Sequence, residues 1–235
     1  MEVNTKVHLS GLSLDNPVIL ASGTYGFGKE YVDFYDINIL GSISIKGTTV
    51  QRRKGNPQPR IAECYAGLIN SVGLENPGME NVIQKELKDL EKIYRKPVIA
   101  NISGFSVEEY VTLAREMDKV DNVGIIEVNI SCPNVDHGGL AFGTNADNVR
   151  ELTKKIKEVT TKPIYMKLSP NVTDIKEIAR AAQEGGADGI SLINTLMGMR
   201  IDINRRKPVI ANKKGGFSGP AIFPVALRMV YEVYE

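Results

Sequence analysis

Cysteine is scarce in this chain. Its 235 residues include only Cys64 and Cys132, which excludes a disulfide framework and makes a reducing cytoplasm the expected compartment. Histidine is equally scarce. His8, His137 and the two scattered cysteines form no ligand cluster, so no metal centre is expected. Charge of one sign is missing too: a net charge of +1 gives no electrostatic case for nucleic acid or an anionic membrane surface. The longest basic cluster, "RRK" at 52–54, reads as a solvated loop. No apolar run approaches the ~20 residues that span a bilayer. The N-terminal "MEVNTKVHLSGL" lacks the charged and apolar regions of a signal peptide. What is present is ordinary globular composition, 42% hydrophobic and 24% charged with 22 glycines. That is enough for a substantial core in one large α/β domain or two small ones.

Short β-forming runs alternate with longer amphipathic ones. Strands are expected at 17–22, 40–47, 96–104, 123–131, 162–169 and 189–194, and helices at 77–95, 106–119, 145–160, 173–185 and 220–235. Near-continuous apolar runs fit parallel strands buried on both faces. Ser106 and Glu109 form an S-x-x-E capping box at the start of the second helix. "KPVIANIS" at 96–103 and "KPIYMKLS" at 162–169 echo one another, which suggests a repeating βα unit. "KPVIAN" returns at 207–212, where a hairpin excursion fits as well as a core strand. The alternation favours a (β/α)8 TIM barrel over a doubly wound open sheet. Only about six of the eight βα units are found, whereas a closed barrel takes ~250 residues. The chain therefore reads as a single barrel domain over 1–235 that lacks its last two units.

In a barrel the C-terminal ends of the strands build the active site. The residues there are Ser22, Lys46, Asn101, Asn129, Cys132, Lys167, Asn194 and Thr195. Two lysines and three asparagines suit an anionic, planar ligand with N–H and C=O edges. Asparagines after strands are commonly turn or cap residues, so each alone reads as structural. A lysine ending an apolar strand must snorkel or meet a counter-charge, and for Lys46, before Gly47, the functional reading leads. A free cysteine is usually a small buried hydrophobe, but Cys132 lies in "NISCPN", on a polar turn after the strand. A thiol of pKa ~8.5 there can serve as a base if its site lowers that value. Cys64 reads as structural. "NSVGLENPG" (70–78) offers Asn70, Gly73 and Asn76 as ligand donors, or simply a turn and cap with Pro77 at the first helical position. "GFSGPA" (216–221) opens the terminal helix with glycines that permit close cofactor approach, a weak signal alone.

Taken in order, "NPVILASGTYGFGKEY", "SIKGTT", "NSVGLENPG", "NISCPN", "KLSPN", "LINT" and "GGFSGPA" resemble class 1 dihydroorotate dehydrogenase over essentially the whole chain. Cysteine rather than serine in "NISCPN" points to class 1, and "GGLAFGTN" is similar to subclass B. The resemblance implies oxidation of dihydroorotate to orotate in pyrimidine biosynthesis. Cys132 would remove the C5 proton while a hydride passes from C6 to FMN. It implies substrate contacts from Lys46, Asn70, Ser71, Val72, Gly73, Leu74, Asn129, Asn194 and Thr195. Contacts to FMN are implied for Ser22, Lys46, Gly47, Asn101, Asn129, Lys167, Ile193 and Gly219, with Lys167 stabilising negative charge on the reduced flavin. An iron–sulfur partner subunit carrying FAD and a 2Fe-2S cluster would pass electrons to NAD+, with a homodimer of this chain inside a heterotetramer. No nucleic acid, membrane or metal is implied for this chain. The family's phosphate-gripping loops belong to the two absent units, so weak FMN binding or poor folding is expected of these 235 residues. The rivals are a dihydropyrimidine dehydrogenase-like enzyme, a flavin-free barrel using Cys132 as a nucleophile, and a non-catalytic truncated remnant.

Overall fold

The structure is a computed structural model that describes residues 3–131 and 142–235. It opens with a hairpin of β1 (Val7–Leu9) and β2 (Leu12–Leu14), turned by Ser10 and Gly11, both at positive φ. Ser10 Oγ lies 3.0 Å from Tyr165 Oη and donates to the Asp188 carbonyl at 3.1 Å. The hairpin thus caps the end where later strands begin, opposite the candidate site.

Six strands then run parallel. β3 (Ile19–Leu20) pairs with β4 (Ser42–Ile43). After the hairpin of β5 (Ile61–Cys64) and β6 (Gly67–Asn70) comes β7 (Val98–Ile102), tied to the β4 segment by bridges Ser44–Ile99 and Thr48–Ile102. β8 (Val123–Asn129), β9 (Ile164–Lys167) and β10 (Gly189–Ser191) follow in order. These are the six expected strands, each trimmed at its ends. Apolar residues of the inner strands are buried on both faces, as in Ile43, Ala100, Ile126 and Met166, which is why the sequence shows runs rather than alternation. Those of the outer strands β3 and β10 are partly buried. Among the described residues, β3 and β10 each keep one edge unpaired.

Helices cover the outside: α1 (Met79–Asn81), a π-helical turn (Val82–Glu86), α2 (Leu87–Ile93), α3 (Val107–Asp118), α4 (Ala146–Lys157), α5 (Ile175–Glu184) and, after a 3-10 turn, α6 (Phe223–Tyr234). The first expected helix is therefore one helical stretch wound wide in its middle. Its N-cap is Gly78, not the residue before Pro77. Ser106 caps α3 as expected, its Oγ accepting from Glu109 N at 3.2 Å, while the Glu109 carboxylate reaches back to Phe105 N at 2.7 Å. The box closes one residue earlier than the usual pattern.

The lysine–proline echo has a physical reason. Lys96 Nζ donates to the Leu40 carbonyl at 2.8 Å, and Lys162 Nζ to those of Val120 and Val123 at 2.6 Å. Each lysine ties its strand's start to main-chain carbonyls of the preceding unit. Lys207, in the third copy, is exposed. That copy lies in the small hairpin of β12 (Ile201–Asp202) and β13 (Lys207–Pro208), which follows β11 (Leu196–Met199). The excursion ends in β14 (Lys214–Ser218), and β11, β14, β6 and β5 form a separate antiparallel sheet that the sequence pattern did not indicate. α6 packs Met229 inward and leaves Phe223, Leu227, Val230, Tyr231 and Tyr234 exposed.

Candidate active site

The site is built from the loops that leave the six parallel strands. Lys46 follows β4, half-buried, with neither a hydrogen bond nor an ion pair for its ammonium among the described residues. Burial holds its pKa below the ordinary lysine value, Glu75 opposes that shift and Arg60 adds to it. A side chain on Gly23 would come within 3.7 Å of Lys46 Nζ, which places the ammonium beside the turn after Ser22. Next to it is Gly47, where a Cβ would meet Asn101 Oδ1 at 2.9 Å, Leu74 at 3.5 Å and Ser103 Oγ at 3.7 Å. Asn101 Oδ1 and Ser103 Oγ are both buried without a hydrogen-bond partner. Two orphan polar atoms converge where glycine leaves room, although buried polar atoms in folded proteins are nearly always satisfied.

Asn129 ends β8 in register with Lys167 at the end of β9. Asn129 Oδ1 accepts from Ser131 N at 3.2 Å, Ser131 Oγ at 2.6 Å and Asn194 Nδ2 at 3.1 Å. Asn194 also bonds Ser131 Oγ, and its Oδ1 accepts from Thr195 N at 2.8 Å. The Thr195 carbonyl is held by Asn171 Nδ2 at 3.0 Å. Lys167 makes no ion pair or hydrogen bond through its ammonium among the described residues. Two asparagines from separate strand ends are thus locked to one another beside a free cation. Ile193 sits in the same loop, its peptide bond to Leu192 cis.

The loop 70–74 closes another side. Asn70 pairs with Gly216 across β6 and β14, and a Cβ on Gly216 would come within 1.9 Å of Thr195 Oγ1. The substitution Gly216→Ala must therefore displace Thr195. The expected loss is ~1–3 kcal/mol, typical of overpacking, read as a lower urea midpoint with unchanged slope. Ser71 Oγ is a further buried orphan, and Gly73 and Leu74 both take positive φ. Asn76 takes the structural reading: its amide holds Thr49 N, Thr49 Oγ1, Gly78 N and the Leu74 carbonyl. Gly219 lies against the turn of the β5–β6 hairpin, where a Cβ would come within 2.6 Å of Gly67 Cα and 2.9 Å of the Ala66 carbonyl oxygen. Cys132, the proposed base, lies outside the described residues.

Five residues of this constellation were not singled out by sequence reasoning: Ser44, Ser103, Glu127, Ser131 and Asn171. Glu127 left a signal, a lone acid inside the apolar run "VGIIEVNIS". Its carboxyl oxygen Oε2 accepts from Ser44 Oγ at 3.1 Å and Asn101 Nδ2 at 2.6 Å. Among the described residues the arrangement offers two ammonium groups without an ion pair, orphan amide and hydroxyl atoms, and fixed asparagines. It can bind a planar, anionic heterocycle rich in N–H and C=O groups.

Comparison with known proteins fits this chemistry. The family model described as dihydroorotate dehydrogenase matches residues 4–235. The catalytic subunit of dihydroorotate dehydrogenase B (NAD(+)) from Bacillus cytotoxicus is 57% identical over 98% of this chain and 74% of its own length. The same subunit from Bacillus cereus strain AH187 is 56% identical over the same shares. Among solved structures, DHODH from Eimeria tenella, crystallised with ferulenol, superposes with a TM-score of 0.76 at 19% identity, covering 98% of this chain and 69% of that one. That last likeness bears on the fold alone.

Proposed function

This chain belongs to the dihydroorotate dehydrogenase family, and from that premise we propose how its site works as the catalytic subunit of a B-type, NAD+-linked enzyme. The family's reaction is the oxidation of dihydroorotate to orotate in pyrimidine biosynthesis. The observation that carries our reading of the site is the pair of buried, unpartnered polar atoms, Asn101 Oδ1 and Ser103 Oγ, beside Gly47 and the unpaired Lys46. Orphans of that kind call for a polar planar ligand, and FMN has the right edge of N–H and C=O groups. When bound, FMN supplies the two-electron, hydride-accepting chemistry that no side chain can provide.

The chain's own residues supply the rest. Ser22, Lys46, Gly47, Asn101, Asn129, Lys167, Ile193 and Gly219 hold the flavin, with Lys167 contributing positive charge. Lys46 and the loop Asn70–Leu74 hold the substrate carboxylate, while Asn129, Asn194 and Thr195 bind the pyrimidine edges. An amide already fixed by its neighbours loses little entropy on binding, which favours correct orientation. Cys132 accepts the proton from C5. A partner subunit bearing FAD and a 2Fe-2S cluster takes the electrons on to NAD+, in a heterotetramer around a dimer of this chain, in the cytoplasm. No helix of the described residues is long and apolar enough to cross a membrane.

The test is an anaerobic visible spectrum of the chain with FMN, before and after dihydroorotate. The same measurement is made on the chain extended to the length of its relatives, because the paired strands here leave two open edges. Bleaching of the bound-flavin band by dihydroorotate and not by dihydrouracil is expected of the extended chain. Flavin that binds and is bleached only by dihydrouracil would overturn the substrate assignment. Absence of any bound flavin from both chains would overturn the reading altogether.

A further inference from the structure

Glu127 is buried, 7% exposed, in the middle of the parallel sheet, one alternate position below Asn129 on the same strand. A carboxyl group there costs free energy that valine or leucine would not, so its contacts need explaining. Its Oε2 gathers two donors from two other strand segments: Ser44 Oγ, beyond β4, and Asn101 Nδ2, on β7. Asn101 is itself 1% exposed, and its register partner across the parallel pair is Glu127.

The chemistry of this contact fixes an orientation. An asparagine amide can be turned by 180° with almost no change in shape, exchanging donor for acceptor. A carboxyl oxygen already accepting from Ser44 can take only the NH2 end of Asn101. Oδ1 is therefore directed to the other side, towards the space beside Gly47, where it remains buried and unpartnered. An acceptor held in that way recognises an N–H donor and rejects a C=O.

We propose that Glu127 is a positioning residue for the flavin: it locks the Asn101 amide so that a buried acceptor faces a ring N–H of the bound heterocycle. The inference rests on the assignment of Asn101 to FMN made above. Glu127 touches neither flavin nor substrate and acts only through Asn101.

The experiment is a double-mutant cycle on FMN affinity, read by quenching of flavin fluorescence in the extended chain, with Glu127→Leu, Asn101→Ala and the pair. A thermal melt accompanies each variant. Glu127→Leu frees the amide to turn and weakens FMN binding ~10-fold, about one hydrogen bond. In the Asn101→Ala background the same change has almost no further effect, because the group it oriented is gone. Glu127→Gln, which can offer one carbonyl oxygen to both donors, stays within ~3-fold of the parent. A second, flavin-independent readout is the side-chain NH2 signal of Asn101 in a chain labelled at asparagine. It is expected to be protected from exchange in the parent and Glu127→Gln, and to lose that protection in Glu127→Leu.

Equal losses from Glu127→Leu with and without Asn101 would overturn the proposal, as would Glu127→Gln binding as weakly as Glu127→Leu. Should Glu127→Leu fail to fold, the Glu127→Gln affinity and the Asn101 signal still decide it. A parent that shows the protected amide yet binds no FMN refutes the flavin assignment of Asn101, and the positioning role falls with it.

Discussion

Cys132→Ala is expected to slow bleaching of the flavin by dihydroorotate by ~10²–10⁴-fold, the usual worth of a positioned proton-transfer group, while leaving FMN affinity unchanged. The chemistry requires a base for the C5 proton. The strand-end inventory of Ser22, Lys46, Asn101, Asn129, Lys167, Asn194 and Thr195 contains no carboxylate or histidine to take that role. Glu127 lies deeper, with its Oε2 already engaged by Ser44 and Asn101. The sign of the pH dependence follows from the thiol. Only the thiolate accepts a proton, so the parent's rate rises as pH passes upward through the pKa of Cys132, and this limb disappears in Cys132→Ala. Rapid-mixing anaerobic spectroscopy across pH reads both effects. A variant that bleaches within a few-fold of the parent, with the same pH limb, would remove Cys132 from the mechanism.

Lys46→Met is expected to move stability and binding in opposite directions. Among the described residues the Lys46 ammonium is half-buried with neither a hydrogen bond nor an ion pair, and burial depresses its pKa. Methionine fills a similar volume without the desolvation cost, so the variant should unfold at a higher urea midpoint, by on the order of 1 kcal/mol. Orotate binding should fall by ~10²-fold or more, since a charge-assisted contact is lost from a partly desolvated site. The linkage runs as it must for a lysine whose folded-state pKa is lowered. Over the window from that lowered value up to the ordinary 10.5, the unfolded chain binds more protons than the folded one. The stability contribution is therefore fully present above the unfolded pKa and is lost as pH falls through the folded pKa. An anion in the site raises the folded-state pKa, so orotate binding within this window takes up protons in the parent and none through this group in Lys46→Met. Calorimetry in buffers of different ionisation enthalpy measures that uptake. A variant that binds orotate as the parent does would place the carboxylate elsewhere.

The exposed apolar side chains of α6 and the unpaired edges of β3 and β10 share one physical explanation. Six parallel strands in a row cannot satisfy their outer edges, and an apolar helix face needs cover. The relatives are longer, this chain spanning 74% of their length.

How much of this was legible in the sequence depended on how local the cause was. The parallel strands were legible because burial on both faces leaves continuous apolar runs, as in "KPVIANIS" and "VGIIEVNIS". The Ser106 cap was legible because its hydrogen bond spans three residues. The strand-end amides and lysines followed from knowing where strands stop. The antiparallel sheet of β5, β6, β11 and β14 was not legible, because it joins residues near 65 to residues near 215 through pairing that leaves no local pattern. The third lysine–proline copy shows the same limit: Lys96 and Lys162 find carbonyls to bind and Lys207 does not, a difference invisible in identical dipeptides. Sequence by itself determined the class of fold and the polar groups available at the strand ends. Only the tertiary structure decided which polar atoms are engaged by the protein itself, as Asn129 Oδ1 is by Ser131 and Asn194, and which are left facing a ligand, as Lys46 and Asn101 Oδ1 are. A side chain's hydrogen-bonding capacity is fixed by its covalent chemistry, but its satisfaction depends on partners that folding brings from distant parts of the chain.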